Sequence, residues 1–393
     1  MTPPARVQAA IELLDAVLAA ARQGGGAADT IIARYFKVRR YAGAKDRRAV
    51  REWVFRAIRR AGDPPPSGRA AMLGLAADEP ALAGLFDGSA HGPAPIVPGE
   101  AAAEAAVAPA WLMELFDPVV GADELPALLE RAPLDLRVNR LKGGRAEAAA
   151  QLPEAVATPH SPIGLRLPEG FQVERSTAWA SGLVEVQDEG SQLVCLGCEA
   201  GPGMSVVDLC AGAGGKTLAI AAEMGDRGRI FACDSDRGRL RRMAPRLERA
   251  GATLVETRLL DPGREKAALA DLAGGCDLVL VDAPCSGTGT WRRNPETRWR
   301  ITPARLAALT ALQARLLDTA VELVRPGGHL VYAVCSLLAG EGRAQAEALT
   351  RRSSLVSTPP SIGAGRPAGP GLLLSPMRDG TDGFFVARWR RPC

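Results

Sequence analysis

The sequence predicts an α/β protein, with a doubly wound, mostly parallel sheet in its C-terminal half, a small α/β domain before it and a helical domain at the N-terminus. After Gly182, short β-branched runs alternate with helical stretches, which is typical of right-handed βαβ units. Before residue 62, apolar residues recur at helical spacing instead. A length of 393 residues exceeds what one hydrophobic core usually supports, which favours two or three domains.

Composition argues against several classes of protein. Hydrophobic residues make up 47% of the chain and charged residues 23%, a balance typical of folded globular proteins rather than disordered ones. No run approaches about 20 apolar residues and no basic-then-apolar signal pattern is present, so we expect a soluble, cytoplasmic protein with no membrane partner. The cysteines lack the spacing of a disulfide framework, and we expect free thiols.

The first expected domain covers residues 1–108, with helices over 5–61 followed by a connector rich in Pro, Gly and Ala. Residues 34–60 contain eleven Arg or Lys and only two acidic residues, with aromatic side chains interleaved among them. A solvated basic face and a surface that contacts RNA phosphates both fit this pattern.

The second expected domain, residues 109–180, is a small α/β unit with a strand at LDLRVNRLK and later strands at FQVERS and LVEVQD. The third expected domain covers residues 181–393. Its strands are predicted at SVVDL, RIFAC, TLVET, DLVLV, HLVYAV and FFVARW, with helices that begin near Lys216, Asp236, Gly263, Pro303 and Glu341. Ligands of such a sheet bind at the carboxyl ends of its strands, where the strand order reverses.

A glycine-rich turn, DLCAGAGGKT, follows the first strand of this third domain. Gly212, Gly214 and Gly215 let the backbone approach a ligand closely, and the next helix presents unpaired N–H groups to an anion. The spacing matches neither the P-loop nor the G-x-G-x-x-G motif. A turn that only joins a strand to a helix fits as well.

Acidic residues follow the next two strands. Asp234 lies about 20 residues beyond the glycine turn, where an acidic side chain typically accepts hydrogen bonds from ribose hydroxyls. This favours an adenosine-containing cofactor. A helix cap is the alternative role, for which Asp236 is better placed. Asp261 is positioned either to meet an adenine ring or to be an ordinary loop residue.

Two cysteines follow the last two parallel strands. VLVDAPCSGTG puts Asp282 and Cys285 beyond one strand and HLVYAVCS puts Cys335 beyond the next, so both thiols can enter one cleft. A buried structural role is the alternative for each cysteine alone. Cys195 and Cys198 form a CxxC pair on a helical stretch without a second pair, which favours core packing over metal binding.

These motifs, in this order and together with RRNPETRW and DGFFVAR, resemble the Sun/Fmu (RsmB-like) family of S-adenosylmethionine-dependent RNA cytosine carbon-5 methyltransferases. The resemblance covers residues 109–393 and implies a Rossmann-like domain with a seven-stranded sheet. More weakly, AGAKDRRAVREWVFRAIRR resembles the NusB-like RNA-binding domain of bacterial members. The implied cofactor is S-adenosylmethionine and the implied partner is RNA, in particular ribosomal RNA, with no metal and no obligate protein partner.

By this resemblance, Cys335 is the nucleophile that adds to carbon 6 of cytosine, Cys285 assists product release, and Asp282 hydrogen-bonds the cytosine edge. Lys216 belongs to the same site and faces either the substrate or the cofactor carboxylate. The implied cofactor shell consists of Cys210, Ala211, Gly212, Ala213, Gly214, Gly215, Lys216, Asp234, Arg239, Asp261 and Asp282.

A further segment, WRRNPETRWR at residues 291–300, combines arginines with two tryptophans. It either clamps and stacks RNA or forms an aromatic core from which the arginines point into solvent. The arginines in question are Arg292, Arg293, Arg298 and Arg300, and the tryptophans are Trp291 and Trp299.

Three departures from the family pattern stand out. Ala213 replaces a usual proline, Ala333-Val334 replaces Ser-Thr before the second cysteine, and Gly342 replaces an asparagine. These departures keep a non-catalytic, RNA-binding ribosome assembly factor open as an alternative. A DNA cytosine methyltransferase, which uses related thiol chemistry, is the other alternative.

Overall fold

The computed structural model describes residues 1–393, which form two compact units. Unit 1 comprises Met1–Phe116, Leu125–Glu130 and Ser286–Pro303, and unit 2 comprises Asp117–Glu124, Arg131–Cys285 and Ala304–Cys393. The division differs from the three expected domains: residues 109–116, 125–130 and 286–303 belong to unit 1, and most of the second expected domain shares unit 2 with the third. None of the helices combines the length and apolar character that a membrane span requires.

Unit 1 is helical, as its apolar spacing predicts. Its helices are α1 (Pro3–Gln23), α2 (Ala28–Val38), α3 (Ala44–Arg60), α4 (Gly68–Asp78), α5 (Pro80–Ala83) and α6 (Ala110–Met113). Helix α1 begins after Thr2, whose hydroxyl accepts a hydrogen bond from the Ala5 N–H, and ends at Gly24 in the left-handed conformation. Buried Leu14 and Ile58 pack in a core that also includes Trp299.

Unit 2 contains a small antiparallel sheet with strand order β2-β3-β1-β4. Its strands are β1 (Leu134–Val138), β2 (Val156–Ala157), β3 (Gly164–Leu167) and β4 (Val184–Val186), with helices α7 (Arg145–Gln151), α8 (Thr177–Ala180) and α9 (Glu189–Leu196). Strand β4 lies beyond the expected boundary at residue 180. The predicted strand FQVERS is wrong: Val173–Arg175 form a 3-10 turn, and the Ser176 hydroxyl accepts a hydrogen bond from the Trp179 N–H, which begins α8.

The larger sheet of unit 2 has nine strands in the order β11-β12-β13-β9-β8-β5-β6-β7, with β10 beside β13. The strands are β5 (Ser205–Asp208), β6 (Arg229–Asp234), β7 (Val255–Leu259), β8 (Cys276–Asp282), β9 (Val324–Val334), β10 (Val356–Ser357), β11 (Arg366–Ala368), β12 (Gly371–Leu374) and β13 (Phe384–Arg390). The helices are α10 (Gly215–Glu223), α11 (Arg237–Ala250), α12 (Glu265–Ala268), α13 (Pro303–Leu323), α14 (Arg343–Arg352) and α15 (Pro376–Asp379). The predicted Rossmann-like class is confirmed, and two short strands, β10 and β11, add to the seven expected.

The central strands of this sheet, β7, β6, β5, β8 and β9, run parallel, so their carboxyl ends share one edge. The chain proceeds from β5 to β6 and β7 on one side and returns to β8 and β9 on the other, which creates a switch in strand order at β5 and β8. Asp282, the last residue of β8, is in register with Ala333 of β9. Residues that directly follow β8 and β9 are therefore brought together.

Candidate active site

A cavity of about 660 Å³ opens at this carboxyl edge within unit 2. Most of the sequence-predicted site residues line it, and they come from four different strand ends and the turns that follow. These residues are Cys210, Ala211, Gly212, Ala213, Gly215, Lys216, Asp234, Arg239, Asp282, Cys285 and Cys335. The volume lies within the range of about 300–1,000 Å³ that is usual for small-molecule sites.

Two predicted residues do not line the cavity. Asp261 is exposed, although its neighbours Leu260 and Pro262 do contribute to the wall. Gly214 has a positive φ of 86° at the start of α10, and a Cβ there would lie 2.6 Å from Cγ of Met243. Gly214 therefore allows the turn to pass close to α11, and only glycine fits that position.

The Asp234 carboxylate is held at the cavity by two backbone donors. Its oxygens accept hydrogen bonds from the N–H of Gly212 at 2.8 Å and from the N–H of Asp236 at 2.7 Å. A carboxylate has further lone pairs for ligand hydroxyls. The prediction that Asp236 caps the next helix is confirmed, since its carboxylate accepts from the Arg239 N–H at 2.9 Å.

Lys216 and Asp282 form an ion pair inside the cavity, with 2.7 Å between Nζ and Oδ2. Burial opposes the charged ammonium, but the Asp282 carboxylate outweighs it and raises the pKa of Lys216 above its usual value. Nζ also lies 5.3 Å from the centre of the Phe384 ring, within cation–π distance. The site therefore holds a fixed positive charge next to a carboxylate.

The structure brings the sulfur atoms of Cys285 and Cys335 to 3.4 Å from each other. Cys335 directly follows β9, and Cys285 lies three residues beyond Asp282 at the end of β8. The two loops are joined by a hydrogen bond of 2.9 Å from the Ala283 N–H to the Ala333 carbonyl. Both thiols are half-buried and face the same cavity.

The other cysteines near the site have a different character. Cys195 and Cys198 are buried on and after α9, as expected from core packing, and burial raises the pKa of the Cys195 thiol to about 12. Cys210 lines the cavity, but burial and the nearby Asp208 carboxyl raise the pKa of its thiol well above the usual value. All eight cysteines are free, and no group of three or more His, Cys, Asp or Glu side chains is arranged to hold a metal ion.

Asp208 was not singled out from the sequence, although it ends β5 directly before the glycine turn. One of its oxygens accepts a hydrogen bond from the Thr217 hydroxyl at 2.7 Å, and the other, also buried, has no partner. Burial raises the pKa of Asp208 to about 7, with a smaller contribution from the negative charge of Asp282 and an opposing one from Thr217. A strand-final acidic residue was the signal that could have identified it.

Further wall residues were not singled out from the sequence as site residues. Gln187 lies just before α9 and Ser191 lies in its first turn. Arg305 and Arg315 belong to α13. Arg315 is paired with Glu265, another wall residue, at 3.1 Å. Helical spacing alone cannot reveal which polar residues of such helices face a cavity.

Of the two roles left open for residues 291–300, the aromatic core applies to Trp291 and Trp299, and neither role applies to Arg298. Within unit 1, Arg298 is fully buried, Trp291 packs against Phe116 and Trp299 belongs to the helical core. The Arg298 guanidinium donates to the backbone carbonyls of Ile58, Arg59, Ala61 and Val107, so it caps the end of α3. Carbonyl oxygens thus occupy the Arg298 donors, for which phosphate contact and exposure to solvent were the two expectations.

The structure shows the contacts made at two of the positions that depart from the family pattern, Gly342 and Ala213. A Cβ at Gly342 would lie 2.8 Å from Cγ of Phe385, so the backbone here passes directly over that ring. The Ala213 carbonyl accepts a hydrogen bond from Nη1 of Arg246 at 2.6 Å, which anchors the turn without a proline. Ala333 and Val334 are buried members of β9.

Comparison with known proteins identifies relatives of the sheet domain. Residues 199–390 match the family described as 16S rRNA methyltransferase RsmB/F. A protein of Synechocystis sp. named "Probable ribosomal RNA small subunit methyltransferase B" is 37% identical over 304 residues, which is 72% of this chain and 66% of that protein. This chain thus spans slightly less than two thirds of the length of the curated relative.

One solved structure resembles the whole chain and another resembles most of it. The crystal structure of PH0851 matches with a TM-score of 0.76 and 24% identity over 100% of both chains. NSun6 from Pyrococcus horikoshii, solved with SFG, matches with a TM-score of 0.64 and 21% identity over 72% of this chain and 98% of that one. At these sequence identities, the similarity shows that the fold is shared and nothing more.

Proposed function

This chain belongs to the RsmB/F (Sun/Fmu) family of 16S rRNA methyltransferases, and from that premise we propose that it transfers a methyl group from S-adenosylmethionine to carbon 5 of a cytosine in RNA. Ribosomal RNA is the proposed substrate, and a covalent bond between cysteine and RNA is the proposed intermediate. The observation that carries the proposal is the 3.4 Å distance between the sulfur atoms of Cys285 and Cys335 at the edge of the cavity.

The chain's own residues fit the proposed cofactor. Asp234 offers carboxylate oxygens to ribose hydroxyls, and the turn around Gly212 exposes backbone to the ligand. The unpartnered buried oxygen of Asp208 points to a polar ligand group that completes its hydrogen bonding. SFG, found in the NSun6 structure, is an analogue of S-adenosylmethionine. When bound, S-adenosylmethionine supplies an electrophilic sulfonium methyl group.

Cys335 is the proposed nucleophile. Carbon 5 of cytosine is a weak nucleophile, so addition of the Cys335 thiolate to carbon 6 is needed to raise the electron density at carbon 5. After methylation, a base removes the carbon-5 proton and the Cys335 sulfur leaves carbon 6. Cys285, within 3.4 Å, is positioned to assist this release step.

The Lys216–Asp282 pair is proposed to contact the pyrimidine. Negative charge builds up on the ring near nitrogen 3 as the thiolate adds, and the cation of the pair stabilises it, while the Asp282 carboxylate accepts a hydrogen bond from the exocyclic amino group at the cytosine edge. The buried Lys216 ammonium at 2.7 Å supplies the positive charge that favours this build-up. Lys216 lines the cavity, where the compact ammonium of a lysine takes up less space than the guanidinium of an arginine.

A basic surface on unit 1 supports RNA as the partner. Five cations around the turn between α2 and α3 are exposed and have no ion pair or hydrogen bond, namely Arg34, Lys37, Arg40, Lys45 and Arg48. Among them lie two exposed apolar side chains, Val38 at 76% and Tyr41 at 72% exposure. Unpaired cations around an exposed aromatic ring suit a single-stranded nucleic acid.

The direct test of the proposed function is methyl transfer from labelled S-adenosylmethionine to total rRNA. We expect transfer by the native protein, loss of transfer in Cys335→Ala, and a denaturation-resistant RNA adduct in Cys285→Ala. An adduct that accumulates in Cys335→Ala instead would reverse the two roles. Transfer to DNA but not to RNA would support a DNA methyltransferase, and RNA binding without transfer would support a non-catalytic assembly factor.

The basic surface is tested separately by charge removal. The double variant Arg40→Gln/Lys45→Gln should weaken RNA binding and reduce the slope of log affinity against log salt by about 1.4, because each contact to single-stranded phosphate contributes about 0.7. The matched control is Arg51→Gln/Arg56→Gln, since these arginines are already paired with Asp29 and Glu79. Equal losses in both double variants would refute a specific role for the turn.

A further inference from the structure

A buried polar network lies within unit 2 directly behind the two thiols. Gln313 of α13, Glu341 and Ser336 are all fully buried. The Gln313 amide nitrogen donates to the Pro284 carbonyl at 2.9 Å and to Oε1 of Glu341 at 3.0 Å. The Ser336 hydroxyl donates to Oε2 of Glu341 at 2.6 Å. The network therefore has one end at Pro284 and the other at Ser336.

Each end of the network is a residue adjacent in the sequence to one of the two cysteines. Pro284 directly precedes Cys285, and Ser336 directly follows Cys335. The carbonyl of Pro284 and the nitrogen of Cys285 belong to one planar peptide group, so a bond that holds this carbonyl also orients the backbone from which the Cys285 side chain extends. Three hydrogen bonds thus connect one cysteine loop to the other through side chains alone.

Burial gives the network a single favoured arrangement. A buried carboxylate that loses a donor pays a large desolvation cost, and the Gln313 amide nitrogen and the Ser336 hydroxyl would lose their acceptors, whereas the Gln313 amide oxygen is buried without a partner already. Glu341 is further anchored because its backbone carbonyl accepts a hydrogen bond from the buried Tyr332 hydroxyl at 2.5 Å. The loops cannot shift relative to each other without breaking one of these bonds.

We infer that Gln313, acting through Pro284 and through Glu341 and Ser336, is a positioning residue that holds Cys285 beside Cys335. This inference rests on the proposed function, in which Cys285 assists release of the RNA from Cys335. Gln313 controls the release step, because its bond to Pro284 sets the loop of the releasing thiol. Ser336 controls the addition step, because it adjoins the nucleophile.

The test compares Gln313→Leu with a matched glutamine on the neighbouring helix. Gln345 of α14 also donates its amide to a backbone carbonyl, that of Thr310 at 3.0 Å, but it has no link to either cysteine loop. Gln313→Leu should lower turnover by between about tenfold and 10²-fold, the range expected from a misplaced reacting group, and should raise the fraction of RNA held as covalent adduct. Gln345→Leu should leave both quantities within about twofold of the native protein.

Ser336→Ala provides the second variant, since it deletes a single oxygen atom and creates less new apolar volume than Gln313→Leu. It should slow formation of the adduct in a single turnover without increasing the adduct at steady state. A merely structural role would instead lower turnover in both variants without redistributing RNA between free and covalent forms. That result, or a Gln313→Leu protein indistinguishable from Gln345→Leu, would overturn the inference.

The Cys285→Ala protein distinguishes failure of this inference from failure of the proposed function. If Cys285→Ala accumulates the adduct and Gln313→Leu does not, the function stands and the positioning role is refuted. If Cys285→Ala forms no adduct at all, the release role of Cys285 is refuted and the inference falls with it.

Discussion

Cys195 and Cys198 lie on and after α9 with 2% of each residue exposed, whereas Cys285 and Cys335 follow strands of the parallel sheet and line the cavity. Both pairs belong to unit 2. The Cys198 sulfur donates to the Val194 carbonyl of α9 at 3.3 Å, so its hydrogen bonding is completed by the helix that directly precedes it. The Cys285 and Cys335 sulfurs lie next to each other instead, at 3.4 Å.

This difference shows that the position of a thiol relative to a strand end matters more than cysteine spacing. A CxxC pair on a helix has the spacing of a redox or metal motif, yet burial raises the pKa of both of its thiols. Two cysteines 50 residues apart converge because adjacent parallel strands end at one edge. The topology of the sheet, rather than their spacing in the sequence, joins them.

The largest expected effect is a difference in alkylation rate. Iodoacetamide should modify Cys285 and Cys335 at least about a thousandfold faster than Cys195 and Cys198, because the buried pair reacts only after the core opens. Peptide mass spectrometry over time measures each rate. Comparable rates for the two pairs would contradict the comparison, as would preferential reaction of Cys210, whose thiol pKa is raised.

A second prediction concerns Asp208, whose carboxyl helps to raise the pKa of the buried thiols. The pKa of Asp208 is raised from 3.8 to about 7, so the folded chain keeps a proton between these values that the unfolded chain releases. Native stability therefore falls as pH rises through this window, and the loss is complete above about pH 7.

Asp208→Asn removes this titration. The melting temperature of Asp208→Asn minus that of the native protein should be larger at pH 8 than at pH 4. The corresponding change in the difference between their unfolding free energies should be at most about 4 kcal/mol. Thr217→Val, which removes the hydroxyl bonded to Asp208 but keeps the carboxyl, is the control and should retain the native pH trend. The same melting difference for Asp208→Asn at both pH values would refute the assignment.

The smallest expected effect is on the folding stability of variants that replace one cysteine from each pair. Cys198→Ser replaces a sulfur with a hydroxyl in an apolar core and should destabilise the protein by about 1–2 kcal/mol. Cys285→Ser, at the wall of the cavity, should change stability by less than about 0.5 kcal/mol. Thermal unfolding compares the two variants. A larger loss for Cys285→Ser would mean that its thiol is part of the core.

The sequence predicted the central sheet well because β-branched runs and glycine turns are local signals. It missed β10, β11 and β12, which are only two, three and four residues long. It predicted a strand at FQVERS, where the Ser176 hydroxyl instead begins a short helix. Local propensity thus failed where a single capping hydrogen bond determines the conformation.

The site was predictable where it consists of residues at strand ends, such as Asp234, Asp282 and Cys335. It was not predictable where side chains meet through the tertiary fold, as Gln313 and Glu341 do. Arginine-rich segments are the clearest failure. Charge alone cannot distinguish Arg298, which donates to backbone carbonyls, from Arg40, which is exposed and unpaired.

The most direct test of the central claim is to locate the covalent bond between protein and RNA. The Cys285→Ala protein is incubated with rRNA and S-adenosylmethionine, denatured and digested, and the peptide that carries a nucleotide is sequenced by mass spectrometry. The account predicts a methylated cytidine attached to the sulfur of Cys335. Attachment to Cys210 or to any other residue, or absence of a covalent species while methyl transfer continues, would contradict it.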